Sequence, residues 1–282
     1  MRLDRVQNQV GLSQPTARAS APDFFGRPDG QSVVVRAMPE IAVAAIVFFA
    51  ALTQGIIGFG FGMVSMGLLP LVLPPLVAIP FVSVYAFCVA GLIAWQMRAH
   101  ISWKRLQPVI IGCTLGVPLG LLFLKQVEPH YIRLALGVFL ILFSIWSLAV
   151  HIEAREVGIK DRWGYVAGFF SGILGGAFNS GGPPAVVYTT LKAWEKDATK
   201  STLQMIFVFT GIISIGGHFW AGRLTADILK LNLFLVPAIV LGVWLGGRLY
   251  ARIDQAMFYR GMLLLLFVVG IVFVTKAVSA LV

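Results

Sequence analysis

The chain has 282 residues, 58% of them hydrophobic and 12% charged, with a mean hydropathy of +0.87. Soluble domains carry about 25% charged residues, so a soluble globular protein is excluded, and the apolar runs are too long and unbroken for the alternating segments of a β-barrel. The formal net charge of +10 is accompanied by no nucleic-acid recognition motif, so a nucleic-acid partner is excluded and the charge reads as loop charge on the cytoplasmic side of a membrane.

Residues 1–37 are polar, contain Arg2, Arg5, Arg18, Arg27 and Arg36, and lack the apolar centre of a signal peptide. They read as a disordered cytoplasmic tail. Apolar runs follow at 41–57, 80–97, 106–124, 134–150, 163–178, 203–221, 231–247 and 261–275. Each approaches the length that crosses a bilayer as a helix. The expected fold is all-α and polytopic, with about eight transmembrane helices and the lipid bilayer as their solvent. Cys88 and Cys113 fall inside these runs and read as small buried hydrophobes. Trp95, Trp103, Trp146, Trp163, Trp194 and Trp220 sit near run boundaries, as an interfacial aromatic belt does.

Two halves share a design. GIIGFGFG at 55–62 aligns with GILGGAFN at 172–179, and LGVPLG at 115–120 with LGVWLG at 241–246. This alignment pairs Gln54 with Ser171 and treats the polar stretch 192–200 as an insert. It divides the chain into a first membrane repeat, 38–150, an inter-repeat loop, 151–162, and a second repeat, 163–280. Each half also holds a short segment, 62–79 and 180–191. A helix over 180–191 rises about 18 Å, against a hydrocarbon core of about 30 Å, and Pro70, Pro74 and Pro75 interrupt the other. Both short segments read as re-entrant or half helices. If both are re-entrant, eight spans give cytoplasmic termini and parallel repeats. If both span, ten spans give outside termini and inverted repeats. Either reading puts the loops 98–105 and 151–162 inside. The eight-span reading is preferred, because 180–191 is too short and the tail carries arginines without a signal.

The second short segment opens with GGAFNSGGPP at 175–184. Irregular backbone at membrane depth survives only when buried in protein or lining a wet cavity. Glycines let backbones approach closely and adopt positive φ. Pro183 and Pro184 suit the first turn of a helix. The stretch therefore reads as a break followed by a helix N-terminus, a place that attracts anions. The candidate substrate-binding residues are Asn179, Ser180, Gly181, Gly182 and Pro183, with Gln54, Gly58, Gly60, Gly62 and Ser65 in the first half. For Gly168, Gly172 and Gly175 close helix packing is the simpler account. No acidic residue and no fixed cation fall deep in a run. His218 is the ionisable residue furthest inside one and is a possible proton relay. HExxH, GxSxG and nucleotide-loop motifs are lacking, as are His/Cys clusters with ligand spacing. The chain reads as a non-enzyme that needs no cofactor or metal.

The stretches TQGIIGFGFGMVSMGLLPLVLP and AGFFSGILGGAFNSGGPPAVVY resemble the paired Gly-rich motifs of the sulfite exporter TauE/SafE family, over about 38–280. The resemblance implies a multi-pass permease of the bacterial inner membrane. Its implied substrates are small sulfur-containing anions such as sulfite, thiosulfate or organosulfonates. Family patterns often carry a further glycine where this chain has Asn179 or Met63. A passive anion channel and a non-transporting membrane partner or sensor are the competing readings.

Overall fold

The computed structural model describes residues 40–149, 159–250 and 252–279. The expected tail over 1–37 lies outside them. Eight long helices and two short ones are present among the described residues. In the first half they are α1 (Glu40–Ile57), α2 (Phe61–Leu68), α3 (Pro75–Gln96), α4 (Trp103–Gln126) and α5 (Pro129–Ala149). In the second they are α6 (Trp163–Phe178), α7 (Gly182–Leu191), α8 (Lys196–Trp220), α9 (Ala226–Leu249) and α10 (Gln255–Val278). Six of them, α3, α4, α5, α8, α9 and α10, are long and apolar enough to cross a membrane. Large apolar side chains such as Leu115 on α4, Phe170 on α6 and Leu233 on α9 are exposed on the outside, where lipid replaces water as solvent.

Local chemistry sets the helix ends. Pro75 and Pro183 stand in the first turns of α3 and α7, where a missing N–H costs nothing. Thr225 and Asp254 cap α9 and α10 by accepting from the backbone N–H of Ile228 and of Ala256 and Met257. α1 and α6 both end on a left-handed residue, Gly58 (φ 92°) and Asn179 (φ 54°), the conformation that closes a helix C-terminus.

Glycines decide which helices lie together. A Cβ on Gly112, Gly116 or Gly120 of α4 would collide with backbone of α6 at Tyr165, Phe169 and Ile173 in turn. Gly168 and Gly172 meet α4 from the other side at Val109 and Cys113. The packing role expected for these two is what the structure shows, whereas Gly175 faces a cavity. Gly242 and Gly246 of α9 lie in the same way against Phe48 and Leu52 of α1.

These contacts also give helix directions. Numbers rise together between α4 and α6, and between α9 and α1, so each pair is parallel. α3 and α8 are antiparallel, since Gly211 meets Phe87 while Ser201 reaches His100. α5 and α10 are antiparallel, since Gly137 meets Gly270 while Ser147 bonds Tyr259. It follows that α1 runs the same way as α3, and α6 the same way as α8. The short helices α2 and α7 therefore carry the chain back the way it came.

Each half is thus a helical hairpin (α1–α2 or α6–α7) followed by three spans. An odd number of spans inverts the second half relative to the first. The expected pairing of re-entrant segments with parallel repeats is corrected here. The runs 41–57 and 163–178 are the entering arms of the hairpins, and each ends inside the protein, so they do not act as full crossings.

Candidate functional site

The two hairpins enter from opposite ends, and their breaks meet. A Cβ on Gly62 would collide with the backbone carbonyl of Asn179, so only glycine allows this approach. Around the meeting point lies a small cavity of about 40 Å³. The starts of both half helices line it, through Gly60, Gly62 and Met63 on one side and Ser180, Gly181 and Gly182 on the other. Gln54 and Asn179 also line it, and α8 adds Phe207, Thr210 and Ser214. No charged side chain lines it among the described residues. The positive poles of two helix dipoles therefore converge on one small space.

The breaks are held by a polar frame. Gln54 Oε1 accepts from Phe61 N at 3.1 Å, while its Nε2 donates to Gln204 Oε1 at 2.8 Å. Gln204 in turn donates to the carbonyl of Gly58. In the other half Ser83 Oγ donates to Asn179 Oδ1, and Asn179 Nδ2 donates to Ile79 O, both at 2.9 Å. Ser171 Oγ donates to Gly181 O. In hydrocarbon these bonds satisfy carbonyls and N–H groups that the broken helices release.

The frame also corrects the alignment of the halves. Gly58 corresponds to Asn179 and Ser83 to Gln204, each at the same place in its half. Gln54 then corresponds to Gly175 and not to Ser171, a shift of one helical turn. Residues 192–200 are no insert, because they hold the link from α7 and the first turn of α8, as 71–79 hold the link from α2 and the first turn of α3. The glycine pairs Gly116–Gly242 and Gly120–Gly246 keep the alignment expected for them.

Of the residues singled out in the sequence, Gln54, Gly60, Gly62, Asn179, Ser180, Gly181 and Gly182 line the cavity. Gly58 lies behind it, bonded to Gln204. Pro183 faces a second, larger cavity of about 780 Å³ that opens to one end of the protein between α7, the end of α5 and the start of α10. Phe59 lines that outer cavity, and its ring lies 3.0 Å from where a Cβ on Gly182 would be. It separates the two spaces. Ser65 is fully buried on α2 and lines neither cavity. His218 is fully buried one turn beyond Ser214, and neither ring nitrogen has a hydrogen-bond partner.

Ser83 and Gln204 of the frame escaped the sequence reading, and so did Lys200. Lys200 is 8% exposed. Its stem lies on Gly58, its Nζ donates to Gly55 O at 2.8 Å, and the ammonium sits 4.0 Å from the centre of the Tyr250 ring. No carboxylate pairs with it among the described residues. It caps the C-terminus of α1, where a cation is favoured, and it is the fixed cation the sequence seemed to lack. The signal was present but misplaced, since α8 begins at Lys196 and not near 203, so Lys200 lies one turn inside a helix.

At the same end, Lys192 pairs with Asp161 at 2.7 Å and donates to Ile159 O. That hydrogen bond and the lysine charge lower the Asp161 carboxyl below its usual range. The pair therefore tethers α7 to the α6 loop at neutral pH and is lost as pH falls through the lowered value.

The profile of the family described as Sulfite exporter TauE/SafE matches residues 43–273. The chain is 25% identical over 248 residues to a Cupriavidus necator protein named "Probable sulfite/organosulfonate exporter TauE", covering 86% of this chain and 96% of that one. It is 24% identical over 173 residues to a Comamonas testosteroni protein named "Probable inner membrane transporter protein TsaS", covering 61% of this chain and 72% of the other. No solved structure matches the chain significantly.

Proposed function

The chain belongs to the sulfite exporter TauE/SafE family, and from that premise we propose that it is a secondary permease of the bacterial inner membrane for small sulfur oxyanions, either sulfite and thiosulfate or the sulfonate head of an organic anion. The observation that carries this reading is the small cavity where two inverted half-helix N-termini converge, with no carboxylate on its lining among the described residues. Interrupted helices at matching places in inverted halves are how transporters build a central site, and N–H groups and dipole ends at helix N-termini suit an anion. The outer cavity gives room for the rest of an organosulfonate once Phe59 moves aside.

Basic residues cluster at the end where the outer cavity opens. Arg98, Lys104, Arg105, Lys160, Arg162 and Lys192 all lie there. This excess makes that end cytoplasmic. In an inverted fold α1 then begins at the outer face. Gln54, Asn179, Ser180, Gly181 and Gly182 bind the anion. Gly58, Gly60 and Gly62 shape the breaks.

Flux of sulfite, thiosulfate and sulfoacetate into proteoliposomes tests the function directly. Saturable, mutually competing uptake is the expected result. Flux that rises linearly with concentration indicates a channel, and no flux of any sulfur oxyanion removes the permease reading.

His218 tests coupling to protons. Its buried, unpartnered ring lies on the α8 face that carries Ser214. His218→Gln should keep transport and flatten its dependence on pH. An unchanged pH profile ends the relay role and leaves any coupling to the protonation of the substrate itself.

A further inference from the structure

The internal two-fold gives the open cavity a counterpart in the other half, and that counterpart is shut. Ile57, Phe59, Pro183, Val186 and Tyr259 line the open cavity. Matching the halves by Gly58 with Asn179 converts the first four into Phe178, Ser180, Gly62 and Ser65. For the last helix of each half the burial pattern gives the register. Leu136, Leu140 and Phe143 of α5 fall on Met262, Leu266 and Val269 of α10, all of them buried. Tyr259 then corresponds to Arg133. Phe178 is 6% exposed, Ser180 1% and Ser65 0%, and Ser180 and Gly62 line the small central cavity, so among the described residues these positions are packed where their counterparts are opened to one end.

The two sides differ in one contact. On the open side α7 stands away from α5, with Val186 and Thr190 facing Phe143 and Trp146 across the cavity. On the closed side α2 lies on α10, with Gly67 against Leu266. Sealed into the closed side are two polar atoms with no hydrogen-bond partner, Ser65 Oγ and Arg133 Nε. Burial without a partner disfavours both, and both are relieved in a state where water reaches them. The structure thus has one half in an open arrangement and the other in the closed arrangement of the same parts.

We infer that α2, α5 and α10 enclose the second half of the anion path, which opens at the outer face when α2 leaves α10, with Ser65 and Arg133 as its polar lining. This rests on the permease reading. Arg133 is then the cation that meets the anion at the outer mouth, a part no residue lining the small central cavity plays among the described residues.

The test uses the full chain with Cys88→Ala and Cys113→Ala, reconstituted in one orientation, carrying either Ser65→Cys or Val186→Cys. A charged, membrane-impermeant maleimide, whose thioether adduct sulfite does not cleave, is applied from each face and its excess removed before flux is measured. Val186→Cys should react from the face where the outer cavity opens, and Ser65→Cys from the opposite face. Reaction at either should block sulfite flux. If Ser65→Cys stays inert, or reacts only from the face that labels Val186→Cys, in protein that carries sulfite, the inference is overturned. Absence of sulfur oxyanion flux in the cysteine-free parent overturns the permease reading instead, and labelling from opposite faces still reports the second path. For anion offered at the outer face, Arg133→Gln should raise the half-saturating concentration by about tenfold, with Arg133→Lys restoring it. Equal values for both variants remove Arg133 from the path.

Discussion

Gly62→Ala is expected to cut transport by roughly ten- to a hundredfold while the protein still inserts in the membrane. The added methyl group would overlap the carbonyl of Asn179, which is backbone and cannot rotate away. The two hairpins must separate, and the cavity between them is small enough that any separation misplaces its N–H groups. Overpacking of this kind costs about 1–3 kcal/mol, which at about 1.4 kcal/mol per tenfold corresponds to a loss of roughly ten- to a hundredfold in affinity or rate. Gly91→Ala provides the control, because a Cβ there meets nothing within 4 Å. Flux and membrane content measured together decide the matter. Wild-type flux in Gly62→Ala would show that the meeting of the breaks is not the site.

Asn179→Asp is expected to be at least as damaging, for an electrostatic reason. The wild-type amide accepts from Ser83 Oγ and donates to Ile79 O. A carboxylate keeps the first bond and replaces the second by repulsion between two oxygens. It also puts a negative charge on the wall of a cavity that no charged side chain lines among the described residues. At about 4 Å and an effective dielectric of 20 that repulsion is about 4 kcal/mol, on the order of a thousandfold in anion affinity. Asn179→Gly separates the two effects. It tolerates the left-handed φ of 54° and loses only the hydrogen bonds, each worth about 0.5–1.5 kcal/mol. Transport by Asn179→Asp equal to that of Asn179→Gly would mean that no anion binds beside residue 179.

Both expectations turn on the same physical point. Within hydrocarbon a polar group can choose only among protein partners. Gln54, Ser83, Asn179 and Gln204 therefore hold the broken backbone, and the second amide N–H of Gln54 and of Asn179 is what their side chains add to the backbone N–H groups and helix ends that meet the anion. The structure also explains why Lys200 tolerates burial. Its charge faces the carbonyl end of α1 and the face of Tyr250, which together replace part of the lost hydration.

By itself the sequence determined the class of the molecule and the place of its breaks. Apolar runs with few charges leave no solvent but lipid. NSGGPP and GFGFG mark where helices stop, because only glycine or asparagine readily adopts positive φ and proline cannot continue a helix. Those signals are local, so they are legible along one chain. What only the tertiary structure decided was direction and partnership. A helix of 16 to 18 residues such as α6 or α1 has the same composition whether it crosses the bilayer or ends inside the protein. Its course is set by which glycine-faced neighbour it lies along, and that contact is between residues far apart in the chain. The same limit hid Lys200, since a lysine near a run boundary looks like an interfacial anchor until Gly55 and Tyr250 are brought around it. Inversion of the halves, the small cavity at their meeting point and the one-sided opening above it all follow from those long-range contacts.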